Sequence, residues 1–309
     1  LEYDYRMLNL RGDCPNMSWS LVAVETSNGA VEVGALVADG TIVAIDVLPG
    51  GVSLLDLIRR WAEIAPLLRN WSPAGARPLR AGGRIRPPLE FPAKVICAGA
   101  NYRDHRLEMK AMGAAIEPFF FLKPPTTTVV GPGDDILICD PADNVDWEAE
   151  IAVVIGRGGR FIEPENAMNH VAGYTLLNDV SARAPHVRKN AVAPPFAYDW
   201  LASKGQDTFC PMGPGIAPAW LLQEPISFKL TVNNVQKQAS STAELLTDIP
   251  NLIAAASKMI TLEAGDVIAT GTPSGVGIAT GEFLKDGDLV ELSAPGIGTL
   301  TNQVRLRPS

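Results

Sequence analysis

Four acidic residues are spaced so that they could share one small task. Asp146-Trp147-Glu148-Ala149-Glu150 runs straight into the apolar stretch Ile151–Ile155. If this segment is extended, side chains alternate and Asp146, Glu148 and Glu150 all point the same way. Asp179 follows the apolar run ending Leu176-Leu177-Asn178 and is a further acid of the same kind. Like charges at this spacing repel, and a partly buried set costs several kcal/mol unless it is paired or holds a cation. Two readings are open, an exposed acidic strand face or a cation site. A continuously apolar strand is buried on both faces, which weighs against an exposed edge. Carboxylates with no neighbouring Cys or His suit a hard cation, Mg²⁺, Mn²⁺ or Ca²⁺.

Other residues could move protons or bind anions. His105 and Glu108 are three apart, so on a helix they share a face and the carboxylate can orient the imidazole. A histidine so held could take a proton from water near neutral pH, although charged neighbours also suit a plain surface position. Lys123 follows the apolar run Phe119–Leu122. If buried it needs a partner, which the acidic cluster would supply; otherwise it snorkels at a strand end. Lys204 sits beside Gly205, and on sequence alone is a loop cation. Gly271, Gly275 and Gly277 allow backbone to approach a ligand closely, or simply make a tight turn. The loop lacks the Gly-Lys-Ser/Thr ending of a phosphate-binding Walker motif.

These residues need a scaffold. Residues 18–47 read as a β-meander with turns at Asn28-Gly29 and Asp39-Gly40, where positive φ is tolerated. Ser53 caps a helix whose Leu54, Leu57, Ile58, Trp61, Ile64 and Leu68 lie on one face. From Ser72 to Pro92 the chain turns to Pro, Gly and Arg, which predicts a domain boundary at about residue 90 and a solvated linker around Arg77, Arg80, Arg84 and Arg86. Residues 1–90 are then a small N-terminal α/β domain with its linker, and 91–309 a larger one. In the second, Lys94–Cys97 predicts a short buried strand, followed by a helix-like run through His105 to Met112. Short strands with Gly/Pro punctuation fill 118–156. Ser241 and Glu244 match a capping box, and Pro250 begins a second helix reaching Ile260. The class is α+β, rich in strand.

Composition excludes several functions. A net charge of -8 makes the chain a poor binder of phosphate backbones, so no nucleic-acid partner is expected. No apolar run approaches a membrane span. The four cysteines show no CxxC pair, which argues against zinc and against a disulfide framework. Cys97 and Cys139 lie in apolar runs and read as buried thiols of a reducing compartment. Residues 1–16 lack a signal peptide's apolar core, and Met17 offers an alternative start. The expected location is the cytoplasm.

Over residues 90–305 the chain resembles the fumarylacetoacetate hydrolase superfamily, in particular its catechol-pathway and acylpyruvate-hydrolase branch. The resemblance rests on six motifs in the family's order. They are Gly99-Ala100-Asn101-Tyr102-Arg103-Asp104-His105, Phe121 to Pro125, Trp147-Glu148-Ala149-Glu150, Asn178 to Arg183, Lys204 to Pro214, and Thr270 to Gly277. It implies a mixed β-roll fold, a homodimer, and Mg²⁺ or Mn²⁺ held by Glu148, Glu150 and Asp179. It further implies that His105 and Glu108 activate water from a mobile lid and that Lys123 serves the departing enolate. Tyr102, Arg183, Lys204 and Thr272 would contact substrate, Thr272 through its hydroxyl and N–H. The implied reaction is hydrolysis of a C–C bond in a β-diketo acid such as an acylpyruvate or fumarylpyruvate. Decarboxylation of a 2-oxo diacid, or isomerisation or hydration of a 2-hydroxydienoate, is the alternative on the same site; a metal-binding module without turnover is a third. The sequence departs from the family at His186, where a Gln is usual, and through 184–203, where substrate choice is expected to be set.

Overall fold

The computed structural model describes residues 18–26, 29–79, 83–110 and 117–307. The expectations for residues 1–16, Met17, Asn28, Arg80 and the 111–112 end of the His105 helix fall outside them. The chain opens with β1 (Trp19–Glu25), β2 (Val31–Val37) and β3 (Ile42–Ala44). Gly29 and Gly40 take φ of +81° and +85° between these strands, as tight hairpin turns require. The amphipathic stretch after Ser53 forms two helices rather than one, α1 (Leu54–Arg59) and α2 (Trp61–Arg69). Ser53 accepts from the Asp56 amide and caps the first. The break at Arg60 keeps the predicted face, for Leu54, Leu57, Ile58, Trp61, Ile64 and Leu68 are all buried.

The arginine stretch is not simply a solvated linker. Arg84–Arg86 form β4, which pairs with β1, and Arg86 ion-pairs with Glu25 and Glu90. An Arg at a sheet edge buries its backbone bonds and stem while its head stays wet, so charge alone did not mark a linker.

Short elements follow: β5 (Val95–Gly99), α3 (Arg103–Glu108), β6 (Phe119–Lys123), α4 (Pro125–Thr128), β7 (Val129–Val130) and β8 (Asp135–Ile138). Next come β9 (Val145–Asp146), β10 (Ala149–Ile155), α5 (Pro164–Ala167), β11 (Val171–Asn178), β12 (Ser181–Ala182), α6 (Trp200–Lys204) and β13 (Cys210–Pro218). The chain closes with β14 (Ser227–Val232), β15 (Val235–Ser241), α7 (Ile249–Met259), β16 (Val267–Ala269), α8 (Gly277–Thr280), β17 (Leu289–Ala294) and β18 (Gly298–Leu306). Ser241 caps only a single 3-10 turn, whereas Asp248 caps α7 with Pro250 in its first turn.

The large sheet runs β3-β2-β1-β13-β11-β10-β16-β5-β6, with β4 added on β1 and β7 on β13. A five-stranded sheet, β15-β14-β17-β18-β8, lies apart from it, and β9 pairs with β12 alone. Most pairs are antiparallel, but β5 runs parallel to β16, β7 to β13 and β8 to β18. The fold is therefore mixed and strand-rich, as expected. Because β1 pairs with β13, the strands before residue 90 extend the sheet that carries the acidic cluster.

β10 shows why its sequence is apolar throughout. Ile151, Val153 and Ile155 face one core with Leu230, Leu292 and Leu300 of the smaller sheet. Ala152 and Val154 face the other core, with Leu57 and Ile58 of α1. Both faces are thus covered. Ile151→Ala would leave a void costing about 2–5 kcal/mol. Cys97 and Cys210 are buried, but Cys139 is exposed because β8 ends one residue before it. Among the described residues no helix is long and apolar enough to cross a membrane.

Candidate metal centre and cleft

Strand register assembles the acids. In the antiparallel pair of β10 and β11, Ala149 lies opposite Asn178 and Glu150 opposite Leu177. Glu148, just before β10, therefore meets Asp179, just after β11, and the Asp179 amide donates to the Glu148 carbonyl at 2.8 Å. Glu148, Glu150 and Asp179 each bring a carboxylate oxygen within 4.8 Å of the others, and all three are buried. The Glu148 amide donates to Asn178 Oδ1 at 3.0 Å, and the Gly271 amide to Glu150 Oε2 at 2.7 Å. Gly271 has φ +97°, and a Cβ there would come within 3.1 Å of the Ala98 carbonyl. Only glycine brings that amide to the carboxylate without strain.

Asp146 leaves the group. The expected alternation breaks at Trp147-Glu148, because Asp146 belongs to β9 and pairs with Ser181 of β12 rather than continuing β10. Its carboxylate accepts from the amides of Trp147 at 2.8 Å, Gly277 at 2.7 Å and Ile278 at 2.9 Å. It also accepts from Arg183 Nε at 2.9 Å. Burial pushes its carboxyl up, and Arg183 with the Gly277 and Ile278 amides opposes that.

Two buried lysines and a partly buried arginine answer the acids. Lys204 Nζ donates to Glu148 Oε2 at 2.8 Å and to Asp179 Oδ2 at 2.7 Å. A second Arg183 nitrogen donates to Glu148 Oε1 at 2.7 Å. Lys123 Nζ pairs with Asp179 Oδ1 and donates to the Val180 carbonyl at 3.0 Å. Burial favours a neutral Glu148, yet Lys204 and Arg183 override it and hold the carboxyl well below the usual range. Among the described residues no cation ion-pairs with Glu150, and the pull of Lys204 on it is weak. Burial, reinforced by the charges of Asp179 and Glu148, pushes it well up. Four acids (Asp146, Glu148, Glu150, Asp179) thus face three cations (Lys123, Arg183, Lys204). The shortfall is felt at Glu150. An all-oxygen, buried, converging set with excess negative charge fits a hard divalent cation, and Glu148, Glu150 and Asp179 are the residues that would hold it.

The triad forms part of the lining of a cleft of about 130 Å³, with His105, Arg183, His186, Lys204 and Thr272 also in its wall. His105 Nδ1 lies 3.2 Å from Glu108 Oε2 across one turn of α3. With Nδ1–H directed at that carboxylate, Nε2 is left for the cleft. Glu108 also accepts from the Gly275 amide at 2.9 Å, and Asp104 from the Ser274 hydroxyl at 2.7 Å, so α3 is seated on the 270–277 loop. Segment 184–203 reaches the cleft through His186, Trp200 and Ser203. The His186 ring packs against Tyr198 and Trp200, with Trp200 stacked on Phe121.

Two expected contacts lie elsewhere. Lys123 is buried beneath Asp179, and Tyr102 packs edge-on against Phe228 in the core; neither side chain is in the cleft wall. Two buried residues had no role assigned from sequence, Gln238 not being singled out and Asn101 appearing only within a motif. Gln238 of β15 accepts the Ala149 amide at 2.9 Å and donates to Thr272 Oγ1 at 2.9 Å, joining the metal strand to the loop. Asn101 donates to the carbonyls of Thr247 and Thr270 and fixes the start of α3. Gln238 lies in a polar strand, VQKQASS, with no pattern to distinguish it from its neighbours.

The model of the fumarylacetoacetate hydrolase C-terminal family matches residues 94–305. The mitochondrial oxaloacetate tautomerase fahd2 of Xenopus laevis is 42% identical over 229 residues, 73% of this chain and 69% of its own. The oxaloacetate tautomerase YisK of Bacillus subtilis is 41% identical over 228 residues, 72% of this chain and 73% of its own. Among solved structures, the maleylpyruvate hydrolase of Sphingobium sp. SYK-6 with manganese(II) and pyruvate is 28% identical at a TM-score of 0.75. The match covers 94% of this chain and 100% of that one.

Proposed function

The chain belongs to the fumarylacetoacetate hydrolase family, and from that premise we propose that it is a divalent-metal-dependent enzyme that tautomerises oxaloacetate or a close 2-oxo diacid. The reading rests on one observation, a cleft of only about 130 Å³ that gathers the acidic triad Glu148, Glu150 and Asp179 together with Lys204, Arg183 and His105. Sites for drug-sized ligands run to roughly 300–1,000 Å³, so this one suits a compact acid. A divalent cation held by Glu148, Glu150 and Asp179 would polarise a 2-oxo carbonyl and ease loss of a proton from the adjacent carbon.

The chain's own groups supply the rest. Lys204 and Arg183 neutralise the carboxylates of a dianion in a cleft that would otherwise repel it. His105, fixed by Glu108, takes the proton from the carbon beside the keto group on Nε2 and returns it to oxygen. Thr272, held by Gln238, offers a hydroxyl in the wall. Lys123 pairs with Asp179 and aims its carboxylate, a positioning task rather than a contact with substrate.

C–C hydrolysis of an acylpyruvate is the second reading. It is favoured by the same His105–Glu108 pair, which could equally activate water, and by the likeness to a maleylpyruvate hydrolase. The two separate in one assay. With Mn²⁺ or Mg²⁺ present, the protein should speed the decay of oxaloacetate enol absorbance without releasing CO₂, while acylpyruvates stay uncleaved. Pyruvate release from an acylpyruvate would transfer the assignment to the hydrolase, and CO₂ release from oxaloacetate to a decarboxylase.

A further inference from the structure

We propose that Asp146 is a positioning residue that sets Arg183 against the 270–278 loop, and so fixes how the cleft grips the substrate's carboxylate. The inference rests on the reading of the cleft as a 2-oxo acid site. Asp146 is fully buried and stands outside the metal triad. Its Oδ1 accepts the Trp147 and Gly277 amides, and its Oδ2 accepts the Ile278 amide and Arg183 Nε. Arg183 Nη2 also lies 2.8 Å from Oδ2 and 2.7 Å from Glu148 Oε1. The guanidinium is therefore hung between a carboxylate outside the metal triad and one that would hold the metal.

Two features show that the clamp is built for closeness. A Cβ at Gly277 would come 2.7 Å from Asp146 Oδ1 and 2.0 Å from the Glu282 carbonyl, so only glycine lets the loop approach. On the other side, the Arg183 and Ala184 amides donate to the Asn144 and Asp143 carbonyls, tying the arginine's backbone to the turn before Asp146. With Asp146 holding Nε and Nη2, Arg183 cannot collapse wholly onto Glu148, and part of its charge stays available to an incoming anion. Without it, the guanidinium falls onto Glu148 and the loop loses the anchor at its Gly277–Ile278 end.

The test uses the full-length protein loaded with Mn²⁺, with oxalate as the ligand. Asp146→Asn, close to isosteric, should weaken oxalate binding by about tenfold or more, the usual weight of a hydrogen bond to a charged group, lower Mn²⁺ affinity by clearly less than that, since the released guanidinium competes only for Glu148, and raise KM for oxaloacetate more than it lowers kcat. Arg183→Lys should weaken oxalate similarly, because an ammonium cannot span both acids. If Asp146 acts through Arg183, the double variant is no weaker than the worse single one. Multiplying defects, an unchanged oxalate affinity, or loss of Mn²⁺ with oxalate would each overturn the proposal. Should Asp146→Asn fail to fold, Arg183→Lys alone still tests it. Hydrogen exchange at Gly277 and Ile278 should rise in that variant, and equal exchange would refute the link. A wild type that binds Mn²⁺ and oxalate yet leaves oxaloacetate untouched would sink the substrate reading and not this one.

Discussion

Lys204→Met would expose the balance of charge on which the cluster depends. The ammonium is buried and lies 2.8 Å and 2.7 Å from carboxylates of Glu148 and Asp179, two of the three cation ligands. Removing it leaves Asp146, Glu148, Glu150 and Asp179 facing only Lys123 and Arg183. Removing one partner of a buried pair costs about 3–5 kcal/mol. At roughly 2–4 °C per kcal/mol for a chain of this size, melting in chelator should fall by on the order of 10 °C. A divalent cation changes the sum, since its two charges with Lys123 and Arg183 match the four acids. Mn²⁺ should therefore recover most of the loss, and the variant should bind Mn²⁺ more tightly than wild type because no ammonium competes for the same oxygens. Thermal melts with chelator and with Mn²⁺, and calorimetric titration of Mn²⁺, measure both effects. An equal melting loss in the two conditions would refute the reasoning, as would weaker Mn²⁺ binding in the variant.

Chelator should abolish activity and Mg²⁺ or Mn²⁺ restore it, while Glu148→Ala with Glu150→Ala should bind neither; undiminished metal affinity in that variant would break the ligand assignment. His105→Ala should lower kcat by about 10²–10⁴ with oxalate affinity kept, because it removes an interaction of the transition state; metal loss in place of rate loss would count against the His105–Glu108 pair. Burial pushes the Cys210 thiol up to about 12, and Cys97 is likewise pushed well up. A raised thiol pKa keeps the unreactive protonated form below it, so at pH 8 a thiol reagent should leave both untouched in the folded protein while modifying exposed Cys139. Mass spectrometry of the labelled peptides decides, and rapid labelling of Cys97 would mean that the sheet opens.

Local pattern carried much of this protein. The unbroken apolar run Ile151–Ile155 required a strand covered on both faces, and two cores cover it. The spacing of Leu54, Leu57, Ile58, Trp61, Ile64 and Leu68 required a buried helical face, which survives a break at Arg60 that no periodicity could announce. Glu148, Glu150 and Asp179 were legible as acids beside apolar strands, and His105 and Glu108 as neighbours on one turn. These are one-dimensional facts, because strand alternation and helical pitch turn sequence spacing into direction.

What required the tertiary structure is everything set by pairing between distant segments. Register in β10 and β11 brings Glu148 to Asp179, and the choice of β12 as the partner of β9 turns Asp146 away from the two acids it seemed to join. Lys123 sits under Asp179 rather than in the cleft because its Nζ is taken up by Asp179 and the Val180 carbonyl, and Gln238 arrives from the other sheet to hold Thr272. Such bonds cross dozens of residues, and a polar side chain carries no mark in sequence of which distant backbone will claim it. The sequence by itself determined which residues could do the chemistry; only the packed sheets decided which of them meet, since meeting depends on register and burial rather than on spacing along the chain.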